Sequence, residues 1–199
     1  MRVLRYGERA WLLEPDDPAT VLSLAAAAAE LGSVAEVVPA ARTVLAVLVD
    51  EARPDTVAAE LRSLTPTASA RRSGGDVVLD VHYDGADLTD TAAELGVGVD
   101  ELVRLHSTAD YVVAFCGFAP GFAYLRGLDE RLHAPRLPSP RTRVPAGSVG
   151  IAGEFTGVYP RESPGGWRLL GRTDAALWDL DRTPPALLTP GTRVRFRPA

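Results

Sequence analysis

Arg141 and Arg143 stand two apart in a stretch punctuated by Pro138, Pro140 and Pro145. In an extended segment, side chains two apart share a face, and two guanidinium groups on one face can clamp a carboxylate or phosphate through paired N–H donors. The prolines disfavour helix and stiffen the segment, which lowers the entropy cost of holding the pair in place. The bland alternative is a solvated face. Ser148, in Pro145-Ala-Gly-Ser-Val-Gly150, lacks the spacing of a nucleophile elbow, so it reads as a ligand for an anion or as part of a turn. Tyr159 completes the candidate anion site. Gly165-Gly166-Trp167 reads either as backbone able to approach a ligand with an indole wall, or as core packing. Phe118, Pro120, Phe122 and Tyr124 supply further wall.

His106 is the candidate for proton transfer. It follows a predicted helix and precedes the apolar run Tyr111–Cys116, so its imidazole either reaches a pocket as a general base or sits as a cation at the negative end of a helix. Cys116, the lone cysteine, needs a neighbouring base or helix N-terminus to become a nucleophile; otherwise it is a small buried side chain. The three histidines and nearby acids have no metal-ligand spacing, so no structural metal is expected.

All 21 Lys+Arg residues are arginine, and lysine, asparagine and glutamine are absent. A phosphate-loop lysine and a Schiff-base lysine are thereby excluded. The 199 residues carry a net charge of -5, which argues against nucleic acid as the main partner. Yet Arg126 to Arg172 holds eight arginines against four acids, a local +4. Between Phe115 and Arg172 lie 10 of the 18 glycines and 7 of the 16 prolines, interleaved with aromatic and branched residues. That mixture describes structured turns and short strands, and a rigid cationic surface of this kind can bind anions. No apolar run approaches the roughly 20 residues of a spanning helix, and the start at Met1 has no signal pattern. A cytoplasmic location away from the membrane is expected.

The elements that must position these residues fall into an α+β pattern. Arg2–Tyr6 and Ala10–Glu14 read as strands, and Asp17-Pro18 opens a helix to Leu31, ended by Gly32. Val34–Val38 and Thr43–Val49 read as strands, and Pro54 opens a second helix to about Leu64. The order β, β, α, β, β, α is close to a small ferredoxin-like domain, assigned to residues 1–70. Thr65–Asp76 is the predicted linker. Residues 76–199 then form the second domain: a strand at Val77–Tyr83, a helix capped by Asp87, a short helix from Asp100 to near His106, and many short strands closing with Arg193–Arg197. A barrel or sandwich follows from that spacing.

Four ordered motifs carry a resemblance: Gly117-Phe-Ala-Pro-Gly-Phe-Ala-Tyr-Leu125, Pro140-Arg-Thr-Arg-Val-Pro-Ala-Gly-Ser-Val-Gly150, Thr156-Gly-Val-Tyr-Pro160 and Ser163-Pro-Gly-Gly-Trp167. Together they resemble the 5-oxoprolinase B-subunit family, also described as KipI-like or allophanate hydrolase subunit 1. The resemblance implies a cyclophilin-like β-barrel after the small N-terminal domain. It also implies two partners, a KipA-like protein and a LamB/YcsF-like protein, which are the C and A subunits of the same enzyme. 5-oxoproline would be the substrate, with ATP used at the level of the complex. Phe155 stands where the family pattern has glutamine. Some relatives of this kind inhibit a sensor histidine kinase instead, so two functions stay open: a non-autonomous part of an enzyme and a kinase regulator.

Overall fold

The computed structural model describes residues 1–50, 52–65 and 75–199. It divides into two compact units, Met1–Arg72 and Ser73–Ala199. Most of the predicted linker, residues 66–74, lies outside the described residues.

In the first unit, β1 (Arg2–Tyr6), β2 (Ala10–Glu14), β3 (Val34–Pro39) and β4 (Val44–Leu48) form an antiparallel sheet of order β1-β2-β4-β3. Period-2 alternation explains β2 and β4: Trp11 and Leu13, then Val44, Ala46 and Leu48, point into the core. The helix α1 (Val21–Ala29) is alanine-rich and buries Val21, Leu24, Ala25 and Ala28, one stripe at helical spacing. It stops two residues before the predicted Leu31, because Glu30 and Leu31 bond back three residues to Ala27 and Ala28 in a tighter turn. The second helix, α2 (Pro54–Ser63), adds Val57, Ala58 and Leu61 to the same core. This first unit opens with a hairpin and its last element is a helix, whereas a ferredoxin-like unit runs β-α-β-β-α-β.

The second unit is a mixed sheet rolled into a nearly closed barrel. Its strands are β5 (Asp76–Val81), β6 (Tyr111–Cys116), β7 (Ala123–Arg126), β9 (Ser148–Ala152), β10 (Phe155–Val158), β12 (Arg168–Arg172) and β13 (Arg193–Pro198), in the order β12-β9-β10-β7-β6-β13-β5. The edges are drawn together beyond β5. His82 and Arg172 exchange two backbone hydrogen bonds of 2.9 Å, and Gly85 and Asp87 donate to Leu170 and Leu169. Two helices, α3 (Leu88–Glu94) and α4 (Val99–Thr108), pack on the same core through Leu88, Ala92, Leu102 and Leu105. Asp87 stands at the N-cap position of α3, yet its carboxylate makes no cap bond and reaches β12 instead.

A second apolar layer lies on the other face of β9 and β12. Alternation sends Val149, Ile151 and Leu170 to the barrel interior and Ala152 and Leu169 outward, where Phe122, Val144, Tyr159 and Trp167 cover them. A ribbon of β8 (Arg141–Val144) and β11 (Ser163–Gly165) contributes to this cover. The candidate site lies in this outer layer.

Candidate functional site: an aromatic recess beside Arg136

Phe118, Phe122, Tyr124, Arg136, Tyr159, Gly165, Gly166 and Trp167 line a small recess that opens to solvent. The turn between β6 and β7 supplies Phe118 and Phe122, β7 supplies Tyr124, and Tyr159 follows β10. The rings meet edge to face, the arrangement that aromatic quadrupoles favour. Phe122 meets Trp167 with centroids 5.3 Å apart and Tyr159 at 5.3 Å, and Tyr124 meets Trp167 at 5.5 Å. Glycine is required at 165, where a Cβ would collide with the Tyr159 hydroxyl and ring. Burial raises the Tyr159 pKa, opposed by the Trp167 backbone N–H and by the charges of Arg136 and Arg141. The phenol stays protonated at neutral pH.

Arg136 brings the cation to this recess. It has no ion pair or hydrogen-bond partner among the described residues. Its backbone is nevertheless held on both sides, since the Pro135 carbonyl accepts from Arg168 Nε at 2.9 Å and the Leu137 N–H donates to the Gly166 carbonyl at 2.8 Å. Arg168 is itself buried and forks onto Glu94 at 2.5 and 2.8 Å. Sequence reasoning counted Arg136 only as part of the local positive charge. The signal that could have singled it out is its place between Pro135 and Pro138, beside the motifs that build the walls.

Of the seven residues expected to form the wall, six line the recess, and Pro120 does not. The expected arginine clamp is divided. Arg141 Nη2 donates to Asp87 Oδ1 at 2.5 Å, and Asp87 Oδ2 accepts the Leu169 N–H at 2.7 Å, so this guanidinium braces β8 against β12. Arg143 is exposed and pairs with Glu162 at 2.6 Å. Both lie on an extended strand, as their spacing suggested, but each already has its own carboxylate. Ser148 is buried in β9, where its carbonyl accepts the Tyr159 N–H, and it does not line the recess.

His106 lies inside α4, completely buried, with both ring nitrogens engaged. Nδ1 is 2.8 Å from Tyr83 Oη and Nε2 is 2.8 Å from Thr156 Oγ1. The Thr156 hydroxyl donates to the Gly150 carbonyl, so Nε2 must carry the proton and Nδ1 must accept from Tyr83. The ring stacks on Phe196 at 4.6 Å. Burial pushes its pKa down to about 3. A neutral imidazole with no free lone pair cannot take a proton from a ligand in the recess. Cys116 is similarly quiet: burial pushes its thiol up to about 11, and its Sγ faces the Leu188 carbonyl. Among the described residues no group of three His, Cys, Asp or Glu could hold a metal ion, and no helix is long and apolar enough to cross a membrane.

The sequence that folds into these two units belongs to a known class of domain. The family described as carboxyltransferase domain, subdomain C and D, matches residues 1–188. The 5-oxoprolinase B subunit of Escherichia coli O157:H7 is 40% identical over 99% of this chain and 95% of its own length, and that of Bacillus subtilis (strain 168) is 48% identical over 56% of this chain and 47% of its own. Among solved structures, PH0987 from Pyrococcus horikoshii matches with a TM-score of 0.61 at 37% identity, over 100% of this chain and 97% of that one. TTHA0988 matches with a TM-score of 0.80 at 35% identity over 96% of this chain, which spans only 40% of TTHA0988. The chain belongs to the carboxyltransferase-domain family, within the group that holds the 5-oxoprolinase B subunits and allophanate hydrolase subunit 1.

Proposed function

We propose that this chain is the B subunit of an ATP-dependent 5-oxoprolinase, which opens the lactam of 5-oxoproline to glutamate, and that the recess receives the ring acid. The observation that carries this reading is the 40% identity, over nearly the whole of both chains, to a protein named as the B subunit of 5-oxoprolinase. The chemistry of the recess supports it. A small ring with one carboxylate and one amide needs apolar faces, one cation and a hydrogen-bond donor. Phe122, Tyr124 and Trp167 offer the faces, Arg136 the cation and the protonated Tyr159 the donor. Arg136 is preferred to Arg141 and Arg143 because its charge is not already paired among the described residues.

The chain's share of the work is to bind and orient. Without lysine, with His106 fully hydrogen-bonded and Cys116 held as the thiol, it offers neither a phosphate-gripping ammonium nor an activated nucleophile. Those groups come from the KipA-like and LamB/YcsF-like partners. A five-membered lactam is stabilised by amide resonance, and ATP supplies the free energy that opens it.

Co-expression of the three proteins followed by an assay of ATP-dependent glutamate release tests this. Turnover is expected from the assembly and not from this chain alone. Arg136→Ala should lose a charge-assisted contact of about 1.5 to 3 kcal/mol, a rise in KM of roughly 10- to 100-fold with an unchanged melting temperature. An assembled complex that leaves 5-oxoproline intact in the presence of ATP ends the reading.

A further inference from the structure

Phe118 is the recess residue whose backbone does not suit its side chain. It is the one non-glycine residue with positive φ among the described residues, at 69°. The Ala119 N–H donates to the Gly117 carbonyl at 2.8 Å, which closes a three-residue γ-turn centred on Phe118. With positive φ that turn is the rarer, strained form, because the Cβ of an L-residue crowds its own backbone there. Glycine would relieve the strain, and the sequence has one next door where it is not needed: a Cβ on Gly117 would meet nothing closer than Tyr124 at 4.0 Å. The glycine at 121 is a different case, since its φ is 84° and a Cβ there would press on Trp178, Pro160 and the Leu177 carbonyl.

Burial does not account for a phenylalanine at this point either. Phe118 is 60% exposed, against 1% for its neighbour Phe122. What the strained turn achieves is a position: the ring stands at the recess, edge-on to Phe122 at 5.4 Å and to Tyr159 at 6.3 Å. Strain kept in the native state beside a recess is a pointer to function.

We infer that Phe118 determines the size of ring the recess accepts, forming the outer wall against which a five-membered lactam acid is closed off from water and excluding larger rings. This inference rests on the reading of the recess as the ring-acid site. The side chain that performs the selection needs a fixed position more than it needs burial, and a γ-turn between two paired strands fixes it.

The test titrates 5-oxoproline and its six-membered homologue, 6-oxopiperidine-2-carboxylate, into this chain and into the assembled complex without ATP, followed by calorimetry. Wild type should favour the five-membered ring by roughly 10-fold or more, the discrimination that one methylene allows in an apolar pocket. Phe118→Gly should bring the two affinities to within about 2-fold without lowering the melting temperature, because it removes ring and strain together. Phe118→Ala keeps a Cβ in the strained turn, so it should lose selectivity equally and melt below Phe118→Gly. Selectivity retained in both variants overturns the inference and leaves the proposed function standing. So does a fall in melting temperature for Phe118→Gly as large as that for Phe122→Ala, which would make the ring ordinary packing. Failure of the complex to assemble with selectivity unchanged would make it a docking contact and overturns it too. Binding of neither lactam to wild type in either form ends the site reading and this inference together.

Discussion

The His106 cluster and the aromatic recess are built from similar materials on opposite faces of β10, and they put them to opposite uses. Along that strand Thr156 and Val158 face the barrel interior, where Thr156 accepts from His106, while Gly157 is closely backed by Phe122 and Trp167 of the outer layer. Inside, every polar atom of the chain of bonds is occupied: Tyr83 donates to the imidazole, the imidazole to Thr156 and Thr156 to Gly150. Outside, Arg136 has no partner among the described residues and Tyr159 keeps its proton. A fully satisfied buried network specifies and rigidifies a core. A polar group left unsatisfied against an apolar wall has capacity for a ligand. His106, the candidate for proton transfer in the sequence, belongs to the first kind.

The largest effect expected from this contrast is the pH dependence of stability. His106 titrates at about 3 when folded, against an ordinary value of 6.5. The unfolded chain therefore takes up the proton first as pH falls. The contribution is complete above pH 6.5 and is lost as pH drops towards 3, on the order of 5 kcal/mol in all. Urea unfolding at pH 7 and pH 4.5 should show the midpoint falling in wild type and falling less in His106→Gln. Equal pH slopes in the two proteins would break the contrast, because His106 would then be open to protonation in the fold.

Next in size is the bracing behind Arg136. Arg168→Met removes the fork to Glu94 and the bond to the Pro135 carbonyl. Since Glu94 is half-exposed and can recover water, the expected loss of stability is about 2 kcal/mol, below that of a fully buried pair. The sharper readout is kinetic: in the reconstituted complex KM should rise while kcat is kept, because Arg136 is displaced and the reacting groups are not. A melting shift without a change in KM would show that the recess does not depend on this brace.

Smaller still are the two arginines of β8, which separate support from surface. Arg141→Met deprives the buried Asp87 of its cation and should lower the melting temperature by a few degrees with little change in KM. Arg143→Ala breaks an exposed pair with Glu162 and should leave both melting and turnover at wild-type values. A large KM effect for Arg143→Ala would restore the paired clamp that their spacing suggests.

The elements with their own periodic signal were legible in the sequence. The alternating apolar residues of β2 and β4 mark those strands to within a residue, and the stripe on α1 marks that helix to within three, since Pro18–Thr20 form a 3-10 turn before Val21. The walls of the recess were legible as well, because glycine-aromatic runs at Phe118–Tyr124 and Gly165–Trp167 need close backbone approach and ring packing wherever they occur. Asp87 shows the limit. From the sequence it is a helix cap; in the fold its carboxylate serves Leu169 and Arg141, 82 and 54 residues away. Local hydrogen-bonding propensity lost to a partner that only the barrel's closure supplies.

By itself, then, the sequence determined the strands and helices whose periodicity is local, the cationic and aromatic character of residues 126–172, the absence of lysine chemistry, and a family pattern spread over four motifs. The tertiary structure decided which cation at the recess has no partner among the described residues. Most of the arginine side chains take a carboxylate in the fold's ion pairs, and that competition depends on distances between residues far apart in the chain. Arg141 meets Asp87 and Arg168 meets Glu94 because β12 pairs with the segment after β5. Arg136, clamped through its neighbours' backbone, faces the recess with its charge unmatched among the described residues. Spacing along a chain sets which side chains share a face, and only the packed fold sets which of them still need a partner.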